Sequence, residues 1–394
     1  MSVNKMQKTV SKSLSLISAV ISIILFSSFS PADSVKQKRT DFVFKGQLSG
    51  WGNYSSSESL PYNFGARYLP QVDFQVTNRS KKLNFDFELA ANIYGSSTAG
   101  SLMKTEWDGG ARLYRGWAKI STDKAELRIG LQKINFGSAT MLRPLMWFDR
   151  IDPRDPLQLT DGVWGVLGRY YFGNNTNIWL WGLYGNKELR PWEVGNTVGN
   201  IPEFGGRIQF ALPKGEIALS YHHREVATLT DITSGENRVA IDFKFDLVIG
   251  LWAEASYTKK EKNLWEYNNQ ALINIGADYT FGIGNGLNVA FEHLVLSYDK
   301  NPFEFGNTQN LSAISMGYPS GLLDNISYML FYDWKNGGIY NFVNWKHNFK
   351  YTDLYVMGYI NPDNFLLSGG GIASSRFAGK GIQIMLVFNH QTKR

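Results

Sequence analysis

Hydrophobic and polar residues alternate along most of this chain, from about Asp41 to Asn389. In the clearest stretch, residues 83–93, apolar side chains hold the odd positions, whereas Asp86 and Glu88 lie among the even ones. Side chains alternate across a β-strand, so such a stretch has one apolar face and one polar face. The pattern recurs about eighteen times between turn residues, which predicts an all-β fold, a transmembrane antiparallel up-and-down β-barrel with lipid outside and water inside.

The predicted strand number is even, because a barrel in lipid must close without a free edge. Two stretches, 309–318 and 352–360, alternate less clearly and leave about sixteen strands as the alternative to about eighteen. The predicted strands cover residues 42–52, 64–77, 83–94, 111–121, 124–132, 163–172, 176–185, 204–212, 215–224, 237–245, 248–258, 270–281, 286–298, 309–318, 324–333, 338–348, 352–360 and 380–389.

The connections between these strands alternate between short turns, such as Pro213-Lys214, and long loops; only the connection near Asn336 breaks the rule by being short. Bacterial barrels place short turns in the periplasm and long loops outside, with both termini periplasmic. The predicted external loops cover residues 53–63, 95–110, 133–162, 186–203, 225–236, 259–269, 299–308 and 361–379.

The start of the chain has the pattern of a secretory leader. Lysines precede an apolar segment broken by serines (Leu14–Phe29), and Ala32 closes a run of small residues typical of a cleavage site. The apolar segment is too serine-rich for a convincing membrane span; an uncleaved N-terminal anchor is the alternative. We therefore predict a cleaved signal peptide at 1–32, a short periplasmic segment at 33–41, the barrel at 42–389 and a periplasmic tail at 390–394.

Composition agrees with an exported barrel. Aromatic residues make up 14% of the chain, charged residues 19%, and there are 39 glycines, which suits aromatic girdles and tight turns. The chain has no cysteine, which excludes a disulfide scaffold. The formal net charge of +6 is weak evidence for any anionic partner, and no pattern indicates nucleic-acid binding.

The predicted inner face carries a nearly balanced set of charges. One interpretation is a lattice of cross-strand ion pairs that stiffens the wall. The other is that neighbouring arginines face an acidic side and steer anionic solutes through a lumen wide enough for water. The basic residues are Arg67, Arg128, Arg169, Arg207, Arg224, Arg238 and Lys244, and the acidic residues are Asp73, Asp86, Glu88, Glu126, Glu216, Asp242, Glu254 and Asp278.

The connection at 133–162 is the third external loop and the longest. A loop in open solvent should be rich in small polar residues, whereas this one is strongly apolar between Met141 and Ile151. We predict that it is buried in the lumen and constricts the pore. The alternatives are a rigid external cap and a calcium site formed by its three central aspartates, although the intervening prolines and arginines suit calcium poorly. The predicted constriction residues are Arg143, Arg150, Arg154, Asp149, Asp152, Asp155 and Trp147, the last also as a stacking surface for a sugar ring.

The residues from Leu127 to Gly137 read LRIGLQKINFG. This stretch resembles the arginine-x-glycine-x-glutamine…glycine motif of porin-like barrels related to the alginate-export outer-membrane family, where it also ends a strand before a long loop. The matching positions are Arg128, Gly130, Gln132 and Gly137. The resemblance implies an outer-membrane barrel that is lined by arginines, narrowed by internal loops and passes an anionic polysaccharide. Because the inner face here is balanced in charge, alginate itself is not carried over as the solute.

The last predicted strand, Gly381–Phe388, resembles the C-terminal strand that the barrel-assembly machinery recognises in outer-membrane proteins. Such proteins usually end on the aromatic residue, whereas the segment Asn389–Arg394 follows it here. The resemblance implies the assembly machinery as a partner and the cell outer membrane as the location.

No catalytic pattern stands out. The chain has no Gly-x-Ser-x-Gly elbow, no cysteine nucleophile and no His-Glu-x-x-His motif, and the one acid/base candidate, His222 with Glu225, lies at a charged strand end. We therefore expect no enzyme, no cofactor and no metal. The expected function is a porin-like channel for passive diffusion or export of small polar or anionic solutes, such as sugars or sugar acids. The alternative is a structural or adhesive barrel without an open pore. Outer-membrane lipid is the expected surrounding, and the sequence is compatible with a monomer or a trimer.

Overall fold

The computed structural model of this chain describes residues 38–57, 60–78, 82–101, 104–227, 232–262, 267–363 and 377–392. The predicted signal peptide lies outside these residues, as do residues 33–37 and the last two residues of the predicted tail. Throughout the described ranges the chain forms strands and connecting turns without an α-helix. Accordingly, none of these ranges provides an apolar helix of the length needed to cross a membrane.

Nineteen strands are present in the described ranges, labelled here in chain order. They are β1 (Lys38–Ser55), β2 (Tyr62–Asn78), β3 (Leu83–Ser101), β4 (Lys104–Ser121), β5 (Ala125–Gln132), β6 (Val163–Tyr171), β7 (Asn177–Leu183), β8 (Asn196–Thr197), β9 (Glu203–Leu212), β10 (Gly215–Ala227), β11 (Thr233–Asp246), β12 (Gly250–Lys260), β13 (Asn269–Phe281), β14 (Leu287–Asp299), β15 (Thr308–Pro319), β16 (Asp324–Asp333), β17 (Gly338–Asn348), β18 (Thr352–Ile360) and β19 (Lys380–Gln391).

The sheet closes on itself. Each long strand pairs antiparallel with its sequence neighbours, and β19 pairs with β1 along the register that places Leu48 opposite Phe388. The two-residue β8 pairs only with the outer end of β10 and belongs to the β7–β9 connection. The described strands therefore form a closed barrel of eighteen, as predicted, and not of sixteen. Closure gives every strand two partners, so no edge leaves a row of backbone groups without hydrogen bonds.

Residues that alternate along each strand point alternately to the outer surface and to the interior of the barrel. On β13, Ile273 and Ile275 are exposed on the outer surface, whereas Leu272 and Asn274 are buried inside. The predicted inner-face charges occupy inward positions in the same way: Arg169 on β6, for example, lies directly opposite Glu126 on β5. The strand bounds differ from the predicted ones by a few residues at most places, because alternation specifies the face of a strand more sharply than its end.

One predicted external loop is wrong. Residues 95–110 are predicted to form a long connection, but β3 extends to Ser101 and β4 begins at Lys104, so the two paired strands reach past the ends of β5 and β6. The stretch Gly95–Gly100 has the small, polar composition of a loop, yet it pairs with β2 in a register that places Ser97 opposite Phe64. The expected loop at 225–236 is likewise shorter, since β10 reaches Ala227 and β11 begins at Thr233.

The two faces should respond differently to charge. Ile129, at the middle of β5, is 53% exposed on the outer surface, which is predicted to contact lipid. An Ile129→Arg substitution should cost roughly 2–4 kcal/mol of unfolding free energy, measured by urea titration in lipid vesicles. The matched control is Gln75→Arg on the inner face of β2, where Asp41 and Asp86 lie directly opposite on the two neighbouring strands. Equal losses for the two variants would contradict the assignment of faces.

Candidate functional site

The loop at 133–162 contacts the inner wall on the far side of the barrel. It leaves the sheet at the end of β5 and returns at the start of β6, but its backbone meets inward-facing side chains of β12, β13 and β14. Ile134 and Leu145 within it are almost completely buried. The burial that its apolar composition predicts is therefore provided by the barrel interior.

Two carboxylates of the wall hold this loop by its backbone. Glu292 on β14 accepts hydrogen bonds from the backbone N–H groups of Thr140 at 2.6 Å and Leu142 at 2.6 Å, and from that of Met141 at 3.1 Å. Glu254 on β12 accepts from the N–H groups of the two preceding residues, 138 and 139. Five successive amides thus converge on two buried carboxylates, an arrangement that holds negative charge by backbone dipoles.

Three of the four motif residues named for the stretch 127–137 shape the entry to this loop. Gly137 has a φ of +94°, and a Cβ added there would lie 2.5 Å from an Oε atom of Glu254. Gly130 also has a positive φ and approaches the backbone of β4 too closely for a side chain. The buried Gln132 donates from its side-chain amide to the carbonyl of Gly165 at 3.1 Å. Only glycine suits the first two positions, since other residues rarely adopt such a backbone conformation.

Apolar packing fixes the loop against one side of the barrel. Met141 and Leu142 lie in a buried cluster with inward residues of β12 to β18, among them Leu294, Leu311 and Phe342. A second cluster around Phe136 joins the loop to β6 and β7. Together the two clusters join the loop by hydrophobic contacts to β6 and β7 on one side and to β12–β18 on the other.

Several predicted constriction residues turn out to be internal to the loop. Arg143 forms a buried ion pair with Asp149 at 2.8 Å, and Arg154 pairs with Asp152 at 2.7 Å. Trp147 is 5% exposed, packs edge-on against Phe136 and donates to Ser256 on β12. These side chains therefore hold the loop in shape and against the wall. Arg143, Arg154 and Trp147 offer no free surface to a passing solute, because loop and wall residues together bury them.

The remaining predicted loop residues have separate partners. Arg150 reaches the carboxylate of Glu188 at 3.3 Å in the β7–β9 connection. Asp155 accepts the N–H groups of Leu157 and Leu159; burial raises its pKa, and these hydrogen bonds offset part of that rise. The three aspartates proposed as a calcium site are each engaged by a different arginine or backbone group, and the described residues contain no cluster of three or more potential metal ligands. The calcium alternative has no support in this arrangement.

Ion pairs seal the inner wall at β9 to β12. Arg207 bonds to both carboxylate oxygens of Asp242, at 2.5 and 2.8 Å, and both side chains are 2% exposed. Higher on the wall, two arginines share two carboxylates: Arg224 lies 2.7 Å from Glu236 and Arg238 lies 2.7 Å from both Glu236 and Glu193. Glu193 belongs to the β7–β9 connection. Burial alone would raise its pKa, but the two guanidinium groups hold that pKa below its usual value.

The wall at β1 to β4 is different, because its charges stay accessible. Lys45 pairs with Asp73 at 2.7 Å and Lys119 with Asp86 at 3.1 Å, and the Lys45 side chain is 42% exposed. Nearer the outer end, Arg112 is 54% exposed and lies 3.0 Å from Asp161. A cavity of about 350 Å³ opens between these strands at the short-turn end of the barrel. Its lining includes Asp41, Lys45, Asp73, Gln75, Asp86, Glu88, Trp117 and Lys119.

Of the other predicted inner-face bases, Arg128 and Arg169 lie between these two walls and Arg67 lies on β2, within the accessible one. Lys244 on β11 has a side chain that is 42% exposed and lies 3.5 Å from Asp246. Arg128 stacks over Trp117 at 4.6 Å, Arg169 over Trp179 at 3.7 Å, and Arg67 lies 5.7 Å from the ring of Trp51. Tryptophan faces therefore replace free solvent around part of each guanidinium group.

Three glutamates that pair with the loop or with wall residues were not predicted from the sequence: Glu193, Glu203 and Glu292. His222 bonds to Glu203 on β9 at 3.2 Å and to Trp181, and not to the neighbouring Glu225. Glu203 and Glu292 lie at inward-facing positions of the alternating pattern, which could have identified them, since a carboxylate buried there needs a hydrogen-bond donor. Glu193 gave no such signal, because it lies in a connection without periodicity.

Comparisons with solved structures place the chain among outer-membrane barrels in fold. It is similar to OccAB1 of Acinetobacter baumannii, with a TM-score of 0.57, 11% identity and coverage of 90% of this chain and 97% of that one. For OccAB4 of the same organism the TM-score is 0.52 and the identity 10%, and the match covers 91% of this chain and 100% of that one. The chain is also similar to Wzi of Escherichia coli, a carbohydrate-binding β-barrel involved in group 1 capsule assembly. The TM-score is 0.53 and the identity 11%, and the match covers 87% of this chain and 84% of that one. No family model matches the chain, and neither does any curated protein, so the resemblance to alginate-export barrels stays a hypothesis.

Removing the Glu292 carboxylate should loosen the loop. A Glu292→Ala variant takes the acceptor from three backbone N–H groups, each such charged hydrogen bond contributing about 1.5–3 kcal/mol. Hydrogen–deuterium exchange at residues 138–142 should then become roughly tenfold faster or more. The control is Glu216→Ala on β10, whose carboxylate accepts from Gln209. Unchanged exchange in Glu292→Ala would show that apolar packing alone holds the loop.

Proposed function

We propose that this protein is a porin-like channel of the cell outer membrane, exported through a cleaved signal peptide, for passive diffusion or export of small polar or anionic solutes. The observation that carries the proposal is the contrast between the two charged walls. The ion pair of Arg207 is shut off from water on β9, whereas Lys45 and Arg112 stay accessible on β1 and β4. A barrel that only needed stiff walls would have no use for charges that stay accessible to water along β1 to β4.

The proposed path follows the accessible wall. The cavity at the short-turn end supplies its periplasmic part, and the accessible Arg112 marks its outer part. The loop at 133–162 forms the opposite side and narrows the lumen, because its residues 139 and 142 bond to Glu254 on β12 and Glu292 on β14. A narrow, charged and hydrated passage favours solutes that can replace water at both kinds of charge.

Sugars and sugar acids fit such a passage. Accessible lysine and arginine side chains can bind carboxylates, while the adjacent aspartates accept hydrogen bonds from hydroxyl groups. The fold is shared with OccAB1 and with the carbohydrate-binding barrel Wzi, and the motif at 127–137 resembles that of a polysaccharide-export family. These similarities support a polar solute and leave the direction of transport open to diffusion or export.

The second candidate is a structural or adhesive outer-membrane barrel without an open pore. It is favoured by the apolar cluster that joins the loop to β12–β18, since that packing closes a large part of the lumen. In this case the charged cavity at the short-turn end would be a blind pocket. Ion conduction separates the two functions directly.

The first test is conduction by the purified full-length protein in planar lipid bilayers. We expect discrete single-channel steps, and Lys45→Glu should move the reversal potential in a salt gradient toward cation preference, because it reverses a charge on the accessible wall. Lys214→Glu makes the same change in the β9–β10 turn, outside the lumen, and should leave the reversal potential unchanged. A protein that conducts no ions would favour the structural or adhesive function.

The second test concerns the loop. Deleting residues 139–158 should raise the single-channel current, because it removes the segment that fills the lumen. The deletion variant must first migrate as a folded, heat-modifiable barrel on gels. A folded deletion variant with the same current as the intact protein would mean that the loop does not limit conduction.

A further inference from the structure

Four consecutive turns at the short-turn end expose apolar side chains. They connect β11–β12, β13–β14, β15–β16 and β17–β18. Val248 in the first is 86% exposed, Ile283 in the second 59%, and Leu322 in the third 103%. In the fourth, Tyr351 is 66% exposed and lies 5.0 Å from the ammonium group of Lys350. These apolar side chains on successive turns form a patch whose exposure to water is unfavourable.

The other side of the same rim is polar. The β4–β5 turn reads Thr122-Asp123-Lys124, the β6–β7 turn Phe172-Gly173-Asn174-Asn175-Thr176, and the β9–β10 turn Pro213-Lys214. Among these turn residues Phe172, at 42%, is the one exposed large apolar side chain. Asp123 also pairs with Lys82 beside the β2–β3 turn, and both side chains are largely exposed. The apolar turns are therefore a property of one half of the barrel, from β11 to β18.

The apolar turns continue the outer belt of their own strands. The outward residues Phe243 and Phe245 end β11, and Leu247 and Ile249 carry the same face through the turn to Leu251 on β12. On β13 the outward series likewise runs through Tyr279 and Phe281 into the turn at Ile283. On these strands the outward-facing residues stay apolar or aromatic from the belt into the turn. The environment that surrounds the belt is therefore expected to surround the turns as well.

We propose that the turns from β11–β12 to β17–β18 are immersed in the periplasmic leaflet of the membrane. The occupant is lipid, since the patch is continuous with the belt that the proposed outer-membrane insertion places in lipid. Lys350 and Tyr351 suit the headgroup level, where aromatic and basic side chains concentrate. The barrel then sits slanted, with the turns of β2–β9 in water. The proposal rests on membrane insertion and holds whether or not the pore conducts.

The absence of cysteine allows a direct test. Val248→Cys and Leu322→Cys probe two apolar turns, and Asn174→Cys is the matched control in a polar turn. Each full-length variant is purified, placed in lipid nanodiscs of phosphatidylethanolamine and phosphatidylglycerol, and treated with a charged, membrane-impermeant maleimide. Labelling at 248 and 322 should be about tenfold slower or more than at 174, because a charged reagent does not enter hydrocarbon. After unfolding in detergent all three should label alike.

Two results would overturn the proposal. Equal labelling rates at 174, 248 and 322 in nanodiscs would place all the turns in water. Fast labelling at 248 and 322 in nanodiscs, with protection only in intact cell envelopes, would assign the patch to a periplasmic protein instead of lipid. As a second readout, nitroxide labels at 248 and 322 should be more accessible to oxygen than to a water-soluble nickel chelate, the reverse of position 174. Failure of conduction would not affect either measurement.

Discussion

The arrangement of the lumen depends on the contact between two buried carboxylates and one irregular stretch of backbone. A loop without regular structure brings amide groups that need acceptors, and an apolar interior supplies none. Glu254 and Glu292 provide them from the wall, and the same amides stabilise the charges that burial would otherwise penalise. Each side of this contact removes the cost of burying the other. The apolar segment Met141–Leu142 can therefore pack against β12–β18 while its backbone N–H groups stay hydrogen-bonded.

Once the loop is fixed there, the inner wall is divided. The side from β12 to β18 is covered by hydrophobic contacts, and the β7–β9 connection adds Glu193 over the arginines of β10 and β11. The wall from β1 to β4, whose strands are the longest, keeps its charges in contact with water, and Lys244 on β11 does so near the short-turn end. The division follows from the path of the loop: residues 138–142 are held against β12 and β14, and only its last part returns to β1 and β4, where Leu157 packs near Trp51 and the carbonyl of Thr160 accepts from Arg115.

The sequence predicted the barrel well and its interior partly. Strand number, face assignment and the buried third loop follow from local alternation and composition, which act within a few residues. The prediction of a loop at 95–110 was wrong because small polar residues can also extend a strand when a neighbouring strand pairs with them. The partners of the loop could not be predicted, since Glu292 is separated from Thr140 by 152 residues and only closure of the sheet brings them together. For the same reason Arg143, Arg154 and Trp147 looked accessible in sequence and are buried in the fold.

A charged residue that faces a lumen is thus weak evidence for selectivity until its accessibility is known. Arg207 and its acid partner cancel each other out of reach of any solute, and they stiffen the wall. The accessible bases are paired as well, Lys45 with Asp73 and Arg112 with Asp161, so the open wall presents adjacent donors and acceptors more than a field of one sign. A simple anion gains from one partner and is repelled by the other. A hydroxylated solute can hydrogen-bond to both, which is the physical reason to favour sugars and sugar acids over inorganic anions for the proposed passage.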